Sequence, residues 1–424
     1  MNSIKKTSLK QRDSLPPWIV ILSGVLAALH VGKLPPALPF LKASLGITLI
    51  QAGFLLSMVQ FAGMVLGLCI GLAADTLGRK RSMLYGLAVL SLASALGSLA
   101  QSPKMLLILR GAEGLGFLLV ILPAPALIRQ LVTSDQSSTM LGVWGAYMPM
   151  GMATALLVGP LWLPTFGWQS WWILFALLSA GMAWWTERVV PSDKERERCA
   201  TSVLQADTKP AIPLAWSQRL KETLISPGPW LVSLTFAVYS SQWLAVVGFL
   251  PYIYAQTGFS GGLLGILTAL AAAVNIIGNT ASGNLLKRGF SPTSLLVCGF
   301  LAMTLGSMLA YGAFTSDHPI WRYAGVILFS MFGGLVPGTL FSLAVFLSPH
   351  ERDVSTTVGW MQQWSAIGSF TGPPVVAWVA AWAGGWQWTW VLTGICSAAG
   401  IGLSWKIAHV IRSKSNAGNS HAYR

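Results

Sequence analysis

Apolar stretches of about 20 residues, the length that spans a bilayer as a helix, recur along this chain. Two of them, Gln51–Ile70 and Ser82–Ala100, contain no charged residue and flank the basic turn Arg79–Arg81. A segment between lipid tails must satisfy its own backbone hydrogen bonds, so such stretches are expected to fold as helices. The pattern predicts an all-α membrane protein.

The composition agrees with this class. Of the 424 residues, 54% are hydrophobic and only 9% are charged, whereas a soluble domain carries about 25% charged residues. The net charge of +14 does not require a nucleic-acid partner, because most Lys and Arg fall on one side of the predicted topology. Only Lys42, Lys104 and Arg322 fall on the other side. We therefore expect a lipid bilayer around the chain and no nucleic acid bound to it.

Twelve spans can be placed from hydropathy and from the Pro, Gly and charged residues between the apolar runs. A long polar stretch with alternating charges separates the first six from the last six and is predicted to be a cytoplasmic linker. The positive-inside rule then predicts a multi-pass protein of the plasma (inner) membrane with both termini in the cytoplasm. The predicted spans are 18–41, 51–70, 82–100, 105–132, 140–163, 171–190, 230–255, 263–286, 293–314, 321–347, 357–382 and 388–411. The predicted units are an N-terminal tail (1–17), a six-helix bundle (18–190), the linker (191–229), a second six-helix bundle (230–411) and a C-terminal tail (412–424).

The two halves of the chain repeat each other. The tripeptide Gly167–Gln169 recurs as Gly385–Gln387, before the sixth and the twelfth span. Gly46, Gly53 and Gly71 also match Gly258, Gly265 and Gly283 at a single offset. We therefore predict two similar halves.

The turn between the second and third spans carries a more specific pattern, Gly-x3-Asp-x2-Gly-Arg-Lys. It resembles the signature between the second and third helices of the major facilitator superfamily, with Thr76 where that signature usually has a basic residue. The resemblance implies two six-helix bundles, related by pseudo-two-fold symmetry, that rock around a midplane cavity to give alternating access. It also implies a conformational latch at the cytoplasmic side, formed by Gly71, Asp75, Gly78, Arg79 and Lys80.

Among the ionisable side chains inside predicted spans, we single out four in the first and fourth spans, because burial of charge in a bilayer is costly and therefore suggests function. His30 and Lys33 are three residues apart in the first span, and Arg110 and Glu113 are three apart in the fourth, so each pair shares a helix face. The segment Arg110–Gly116 resembles the family's fourth-helix motif Arg-x2-Gln-Gly-x-Gly, with Glu113 in place of glutamine. Because the fold places the first and fourth helices beside the same cavity, Lys33 is expected to meet this pair.

Formal charge assigns roles to these residues. Lys33 and Arg110 carry two positive charges and Glu113 one negative charge, so the site is one negative charge short. We predict that Lys33 and Arg110 bind the anionic part of a substrate, and that Glu113 and His30 carry a coupling proton. The structural alternatives are a buried Arg110–Glu113 ion pair, a Lys33 side chain that reaches the outer interface, and a packing role for His30.

In the second half, uncharged polar and aromatic residues inside the spans are the substrate-binding candidates. Each alone is better explained by hydrogen bonding between helices. The predicted substrate-binding residues of this half are Tyr239, Gln242, Asn275, Gln362 and Trp364.

We therefore predict a monomeric secondary transporter that moves a small organic or anionic solute and is coupled to protons. No phosphate-binding loop for ATP, cofactor motif or metal-ligand spacing is visible, and no nucleophile–base pair within the spans indicates an enzyme. Proton-driven export of a drug or an amphipathic metabolite such as a siderophore is the alternative within transport. The fifth span favours export weakly, since Gly151-x7-Gly159-Pro160 partly resembles the motif of proton-coupled exporters. A channel is a further option, which the unlike residues of the paired halves disfavour.

Overall fold

The computed structural model describes residues 15–68, 78–193, 216–350 and 353–421. These residues are almost entirely helical, and no strand occurs among them. Ten helical stretches in this part of the chain are long and apolar enough to span a bilayer.

The twelve predicted spans each correspond to a helix of the structure. One apolar stretch, Met140–Val189, contains two predicted spans. Gly167 divides them, since its φ of 74° and ψ of 167° interrupt the helix Tyr147–Val189. The third predicted span corresponds to the 19-residue helix Arg79–Gly97, which is additional to the ten.

We number these helices α1 to α12. The first half consists of α1 (Leu15–Leu45), α2 (Leu49–Leu68), α3 (Arg79–Gly97), α4 (Pro103–Leu131), α5 (140–166) and α6 (168–189). The second half consists of α7 (Pro227–Gln256), α8 (Gly261–Lys287), α9 (Pro292–Tyr311), α10 (Pro319–Leu347), α11 (Val354–Ala383) and α12 (Thr389–His421).

Short connections between most successive helices make the chain cross back and forth. We call the face where α1 begins and α12 ends the terminal face, and the other the opposite face. The last helix continues to His421, past the end of the predicted twelfth span.

The first helix is interrupted at Lys33, which separates the segments Leu15–Gly32 and Leu34–Leu45. Pro35 and Pro36 follow directly and have no backbone N–H to give to the preceding turn. Such a break is tolerated in a membrane where neighbouring helices supply hydrogen bonds to the freed carbonyl groups. Near Lys33, α1 therefore depends on neighbouring helices for hydrogen bonds to its backbone.

The two halves pack internally and also meet each other along two seams. Within the halves, α1 packs against α5 and α6, and α7 packs against α11. Between the halves, α2 packs on α11 and α5 packs on α8. Gly53 makes the first seam close, because a Cβ there would lie 2.8 Å from Cα of Pro374. Packing of small residues is how helices associate closely in lipid.

Both copies of the Gly-Trp-Gln repeat occupy equivalent turns. Gly167 breaks the chain between α5 and α6, and Gly384, with a φ of 68°, ends α11 just before the second copy. A positive φ costs glycine little and other residues more. Each copy of the repeat therefore lies at a turn between two helices, and the correspondence of the two halves stays a prediction.

The turn before α3 is organised by an aspartate that the sequence did not single out. Gly78 has a φ of 90°, and the backbone N–H groups of Lys80 and Arg81 donate to the carboxylate of Asp193 at 3.1 and 3.3 Å. The Lys80 ammonium group donates to the backbone carbonyl of Glu187 at 2.8 Å. This acid at a helix N-terminus, from the end of α6, ties α3 to α6.

Two of the predicted latch residues, Gly71 and Asp75, lie outside the described residues. The described ones, Gly78, Arg79 and Lys80, lie at the start of α3 on the terminal face. The latch itself therefore stays a prediction.

A short helix, Trp216–Ile225, precedes α7 within the range of the predicted linker. Glu222 of this helix lies 3.4 Å from Nδ1 of His350, which also contacts Asp353 at 3.1 Å. Trp230 donates to the carbonyl of Leu224 at 2.8 Å. These contacts attach the linker helix to α7 and to the connection between α10 and α11.

Candidate functional site

A large cavity lies between the two halves of the protein. It encloses about 1020 Å³ of space between atoms, including the solvent that reaches it. Helices α2, α4 and α5 of the first half line it, as do α7, α8, α10 and α11 of the second half. A site shared by both halves is where relative motion of the halves changes access to a bound solute.

Among the residues that the structure describes, no charged side chain lines this cavity. Its walls combine aromatic rings with amide and hydroxyl groups; both halves contribute rings and amides, and the serine hydroxyls come from the second half. The aromatic members are Phe117, Tyr147, Phe236, Tyr239, Trp243 and Phe341. The amide members are Gln60, Asn275, Asn279, Gln362 and Gln363, and the hydroxyl members are Ser240, Ser365 and Ser369.

The polar groups of the second half are held in place by one another. Asn275 donates through Nδ2 to the Tyr239 hydroxyl at 3.0 Å and to the carbonyl of Ser330 at 2.8 Å. The hydroxyls of Ser240 and Ser365 lie 2.6 Å apart. Positions fixed in this way suit recognition of a solute by hydrogen bonds.

Amide side chains connect the halves on the terminal side of the cavity. Gln363 of α11 donates through Nε2 to the carbonyl of Met64 at 2.9 Å and accepts from the N–H of Leu68 at 3.3 Å. Asn279 of α8 donates to the carbonyl of Gly145 at 3.3 Å. Each amide thus bonds the backbone of the other half.

On the opposite side of the cavity the halves contact each other more extensively. Lys42 of α1 donates to the Tyr252 hydroxyl of α7 at 2.9 Å. The α2–α11 seam at Gly53 lies on the same side, and Gly265 of α8 packs closely on the backbone of Leu157. The cavity therefore lies between inter-half contacts on both sides.

A separate charge cluster lies inside the first half. His30, Lys33, Arg110 and Glu113 each have no exposed surface, and none of them lines the cavity. Lys33 lies 2.5 Å from one Glu113 oxygen, and Arg110 lies 2.7 Å from the other. The expectation that Lys33 meets the Arg110–Glu113 pair is confirmed.

Arg110 links three helices through this cluster. Besides Glu113, it donates to the carbonyl of His30 in α1 at 2.6 Å and to the carbonyl of Leu55 in α2 at 3.3 Å. Its remaining terminal nitrogen, Nη2, is buried without a hydrogen-bond partner. Trp171 of α6 donates to the carbonyl of Lys33 at 3.0 Å. Side chains of α4 and α6 thus donate to backbone carbonyls of α1 close to its break at Lys33.

Lys33 has a complete set of partners. Its ammonium group also contacts the Ser94 hydroxyl at 2.7 Å and Nδ1 of His30 at 3.3 Å. It lies 4.8 Å from the centre of the Trp172 ring. The alternative that Lys33 reaches the membrane interface is wrong, because its side chain is wholly enclosed.

The structure separates the predicted substrate-binding residues into two groups. Tyr239, Asn275 and Gln362 line the cavity, whereas Lys33 and Arg110 lie in the buried cluster. An anion in the cavity of this structure therefore has no direct contact with either cation. The prediction of an anion held by these two residues rested on helix adjacency, which does not fix which way each side chain points.

Gln242 and Trp364 also lie outside the cavity lining. Gln242 accepts from Ser397 of α12 at 3.0 Å and donates to the carbonyl of Val238 at 3.1 Å, so it joins helices within the second half. Trp364 packs with Trp230 and Trp360, at ring-centre distances of 5.6 and 5.9 Å.

The cavity-lining residues of the first half are not among the residues predicted from the sequence. Gln60, Gly63 and Gly67 share one face of α2, and their spacing of three and four residues is the signal that finds them. Tyr147 stacks on Trp144 with ring centres 4.5 Å apart, but nothing in its immediate sequence marks it.

Comparison with known families gives one match across the chain. The model described as "Major Facilitator Superfamily" matches residues 20–355 and 231–421. The two matched ranges together extend from α1 to α12.

Curated relatives are transporters or resistance proteins. The chain is 22% identical over 404 residues to the hexuronate transporter of Bacillus subtilis (strain 168), which covers 90% of this chain and 92% of that protein. It is 24% identical to the putative niacin/nicotinamide transporter NiaP of the same organism, with 85% and 84% covered. It is 26% identical to a chloramphenicol resistance protein of Pseudomonas aeruginosa, with 75% and 72% covered.

Solved structures show the same fold. A bacterial homologue of the human lysosomal transporter Spinster superposes with a TM-score of 0.71 at 16% identity, covering 94% of this chain and 97% of the other. A D-xylose-proton symporter superposes with a TM-score of 0.69 at 17% identity, with 92% and 97% covered. At identities this low, the superpositions show a shared fold and do not indicate a substrate.

Proposed function

This chain belongs to the major facilitator superfamily, and we propose that it is a proton-coupled secondary transporter of an uncharged small organic solute. The single observation that carries the proposal is the lining of the cavity, in which aromatic rings alternate with amides and hydroxyls and none of the described lining residues is charged. Apolar walls with a few fixed polar groups are typical of sites that bind small molecules.

The uncharged lining bears directly on substrate class. A carboxylate in such a site loses its water shell without gaining a cation, which costs several kcal/mol, on the order of the penalty for a buried unpaired ion. A hydroxylated or amide-bearing solute replaces its water contacts with the Asn275 amide, the Tyr239 hydroxyl and the Ser240–Ser365 pair. The proposal accordingly narrows the sequence-based expectation of an organic or anionic solute to an uncharged one.

The names of the relatives supply a test panel of matched pairs. Niacin and nicotinamide share a ring, but niacin carries a carboxylate where nicotinamide carries an uncharged amide. A hexuronate likewise carries a carboxylate that its parent hexose lacks. Purified protein is heated with each compound at equal concentration, and the shift in unfolding temperature reports binding. We expect the uncharged member of a pair to stabilise more, and Tyr239→Leu to abolish that difference. Greater stabilisation by the anionic members contradicts the proposal.

Proton coupling is supported by the buried cluster in the first half. A group of ionisable side chains enclosed in a membrane protein is costly and is commonly retained for ion movement. The cluster lies apart from the cavity, so the proton and the solute occupy different places. In this arrangement the two are linked only through the positions of the helices.

Export is the second candidate, and the aromatic lining favours it. Rings from both halves suit a flat, amphipathic compound, and the chloramphenicol resistance protein among the relatives is named for protection against such a drug. Direction is tested in cells that lack their own exporters. Lower accumulation of chloramphenicol on expression of this chain supports export, and unchanged accumulation together with faster uptake of a panel solute supports import.

A further inference from the structure

We propose that the coupling proton is carried by Lys33, with His30 as its relay, rather than by Glu113. The inference rests on the proton-coupled function proposed above and names the group at that site.

Charge balance distinguishes the two candidates. With Lys33, Arg110 and Glu113 all ionised, the enclosed cluster carries two positive charges and one negative. Addition of a proton to Glu113 leaves two buried cations without an anion, whereas release of a proton from Lys33 leaves a balanced Arg110–Glu113 pair. Arginine does not lose its proton in proteins. A buried group with no net charge is far less costly than one with two unpaired charges, so Lys33 is the group that changes state.

The hydrogen bonds of Lys33 also allow this change. An ammonium group can only donate, so Ser94, Glu113 and Nδ1 of His30 are its three acceptors. A neutral amine keeps two of these donations and gives up one. The contact with His30, at 3.3 Å, is the longest of the three and is the one that can be released.

The acceptor role of Nδ1 fixes the state of His30. The ring proton must then lie on Nε2, which donates to the Ser179 hydroxyl at 2.8 Å. The ring edge packs on Phe175 with centres 5.5 Å apart, which keeps the imidazole oriented along the line from Lys33 to Ser179.

This arrangement supports a balanced transfer. The N–H bond of Lys33 breaks as its proton passes to Nδ1 of His30, and Nε2 gives its own proton to Ser179. The Ser179 hydroxyl releases its own proton in turn, and because Ser179 is fully enclosed in this structure, the acceptor is a water molecule that reaches it only when the helices move. Lys33 ends as a neutral amine and His30 as a neutral ring in its other tautomer, so the cluster loses one positive charge.

The cluster is connected to the contact between the halves. Arg110 donates to the carbonyl of Leu55 in α2. Leu56, the next residue, packs on Gly248 of α7, and Gly53 packs on α11. A change of charge at Lys33 alters the strength of the ion pair between Glu113 and Arg110. Because Arg110 also bonds α2, this change affects the part of α2 that contacts the other half.

Trp172 allows a test that needs no solute. Its ring lies 4.8 Å from the Lys33 nitrogen, so its fluorescence responds to the charge on that nitrogen. Subtraction of the spectrum of Trp172→Phe from that of the wild type isolates this signal from the other tryptophans. The full-length protein in detergent micelles is titrated from mildly acidic to alkaline pH.

We expect a single transition in the difference signal. It is lost when the same subtraction is made in the Lys33→Arg background, because arginine keeps the charge and cannot release its proton. In the His30→Gln background the transition keeps its amplitude but slows severalfold after a rapid pH jump, since only the relay is removed.

Two results would overturn the proposal. One is a transition that persists in Lys33→Arg but disappears in Glu113→Gln, which assigns the proton to Glu113. The other is the absence of any transition in the wild type. Each variant is first checked for a monodisperse elution profile, and Lys33→Met replaces Lys33→Arg if arginine does not fit the enclosed site. Failure of the panel in the binding test leaves this titration unaffected, so the two proposals fail separately.

Discussion

The buried cluster predicts an unequal response to removal of its positive and negative members. Glu113→Gln leaves Lys33 and Arg110 enclosed without an anion, whereas Lys33→Met leaves the Arg110–Glu113 pair at 2.7 Å intact. Breaking a buried pair in the first way costs about 3–5 kcal/mol. Lys33→Met removes one hydrogen-bond donor from the Glu113 carboxylate, which lowers the free energy of unfolding by about 1–3 kcal/mol.

These energies translate into temperatures that differ measurably. Unfolding midpoints shift by about 2–4 °C per kcal/mol for a unit of 150–250 residues, the size of one six-helix half. Glu113→Gln is expected to lower the midpoint by about 6–20 °C and Lys33→Met by about 2–12 °C on the same scale. The two changes must be compared in the same detergent and at the same pH.

A surface ion pair provides the matched control. Glu187 pairs with Lys80 at 3.1 Å, but its side chain is 60% exposed. Such pairs contribute about 0.2–1 kcal/mol, so Glu187→Gln should hardly move the midpoint. A larger fall in the unfolding midpoint for Lys33→Met than for Glu113→Gln would refute the reasoning, because it would mean that the cluster depends more on Lys33 than on Glu113.

Three further outcomes follow from other parts of the structure. Gly78→Ala should lower the free energy of unfolding by about 1–3 kcal/mol, because it places a side chain at a φ of 90° beside Asp193. The control Gly181→Ala, which has open space around it, should leave the free energy of unfolding unchanged. Gln363→Leu removes both bonds to α2 and should raise the rate at which a cysteine placed in the cavity reacts with a water-soluble thiol reagent; an unchanged rate contradicts a closing role for Gln363. Tyr239→Phe should weaken solute binding by about tenfold or less, at 1.4 kcal/mol per factor of ten, with unfolding little changed because Asn275 keeps its bond to the Ser330 carbonyl.

The sequence predicted the helices and the charge cluster because both depend on local spacing. Apolar length fixes the spans, and a separation of three residues places Arg110 beside Glu113 whatever surrounds them. The resemblance to the family then brought α1 next to α4, which was enough to predict that Lys33 meets the pair.

The identity of the cavity lining could not be predicted in the same way. Gln242 and Tyr239 lie three residues apart on α7, yet only Tyr239 reaches the cavity, and the difference is set by the rotation of α7 against α11 and α12. That rotation depends on packing between helices distant in sequence, such as the close approach of Gly368 and Gly372 to the backbone of α7. Amide and aromatic residues serve packing and binding equally well, so residue type alone does not separate the two uses.

The Asp193 contact shows a similar limit. The resemblance to the family placed Asp75, within the turn itself, in the latch before α3, and Asp75 lies outside the described residues. The bonds that the structure shows to the first turn of α3 come from the end of α6, more than a hundred residues later in the chain. Capping by a residue so far away leaves no local pattern to find.

Uptake into proteoliposomes tests most directly the claim that an uncharged solute is moved by a proton gradient. The uncharged compound that stabilises the protein most is supplied in radiolabelled form, with and without an imposed pH gradient and with a protonophore as control. The account predicts a pH gradient-driven concentration difference across the membrane, which the protonophore abolishes, while the anionic member of the same pair is not accumulated. Accumulation of the anionic member, or uptake of the uncharged one only to equal concentrations whatever the gradient, would contradict it.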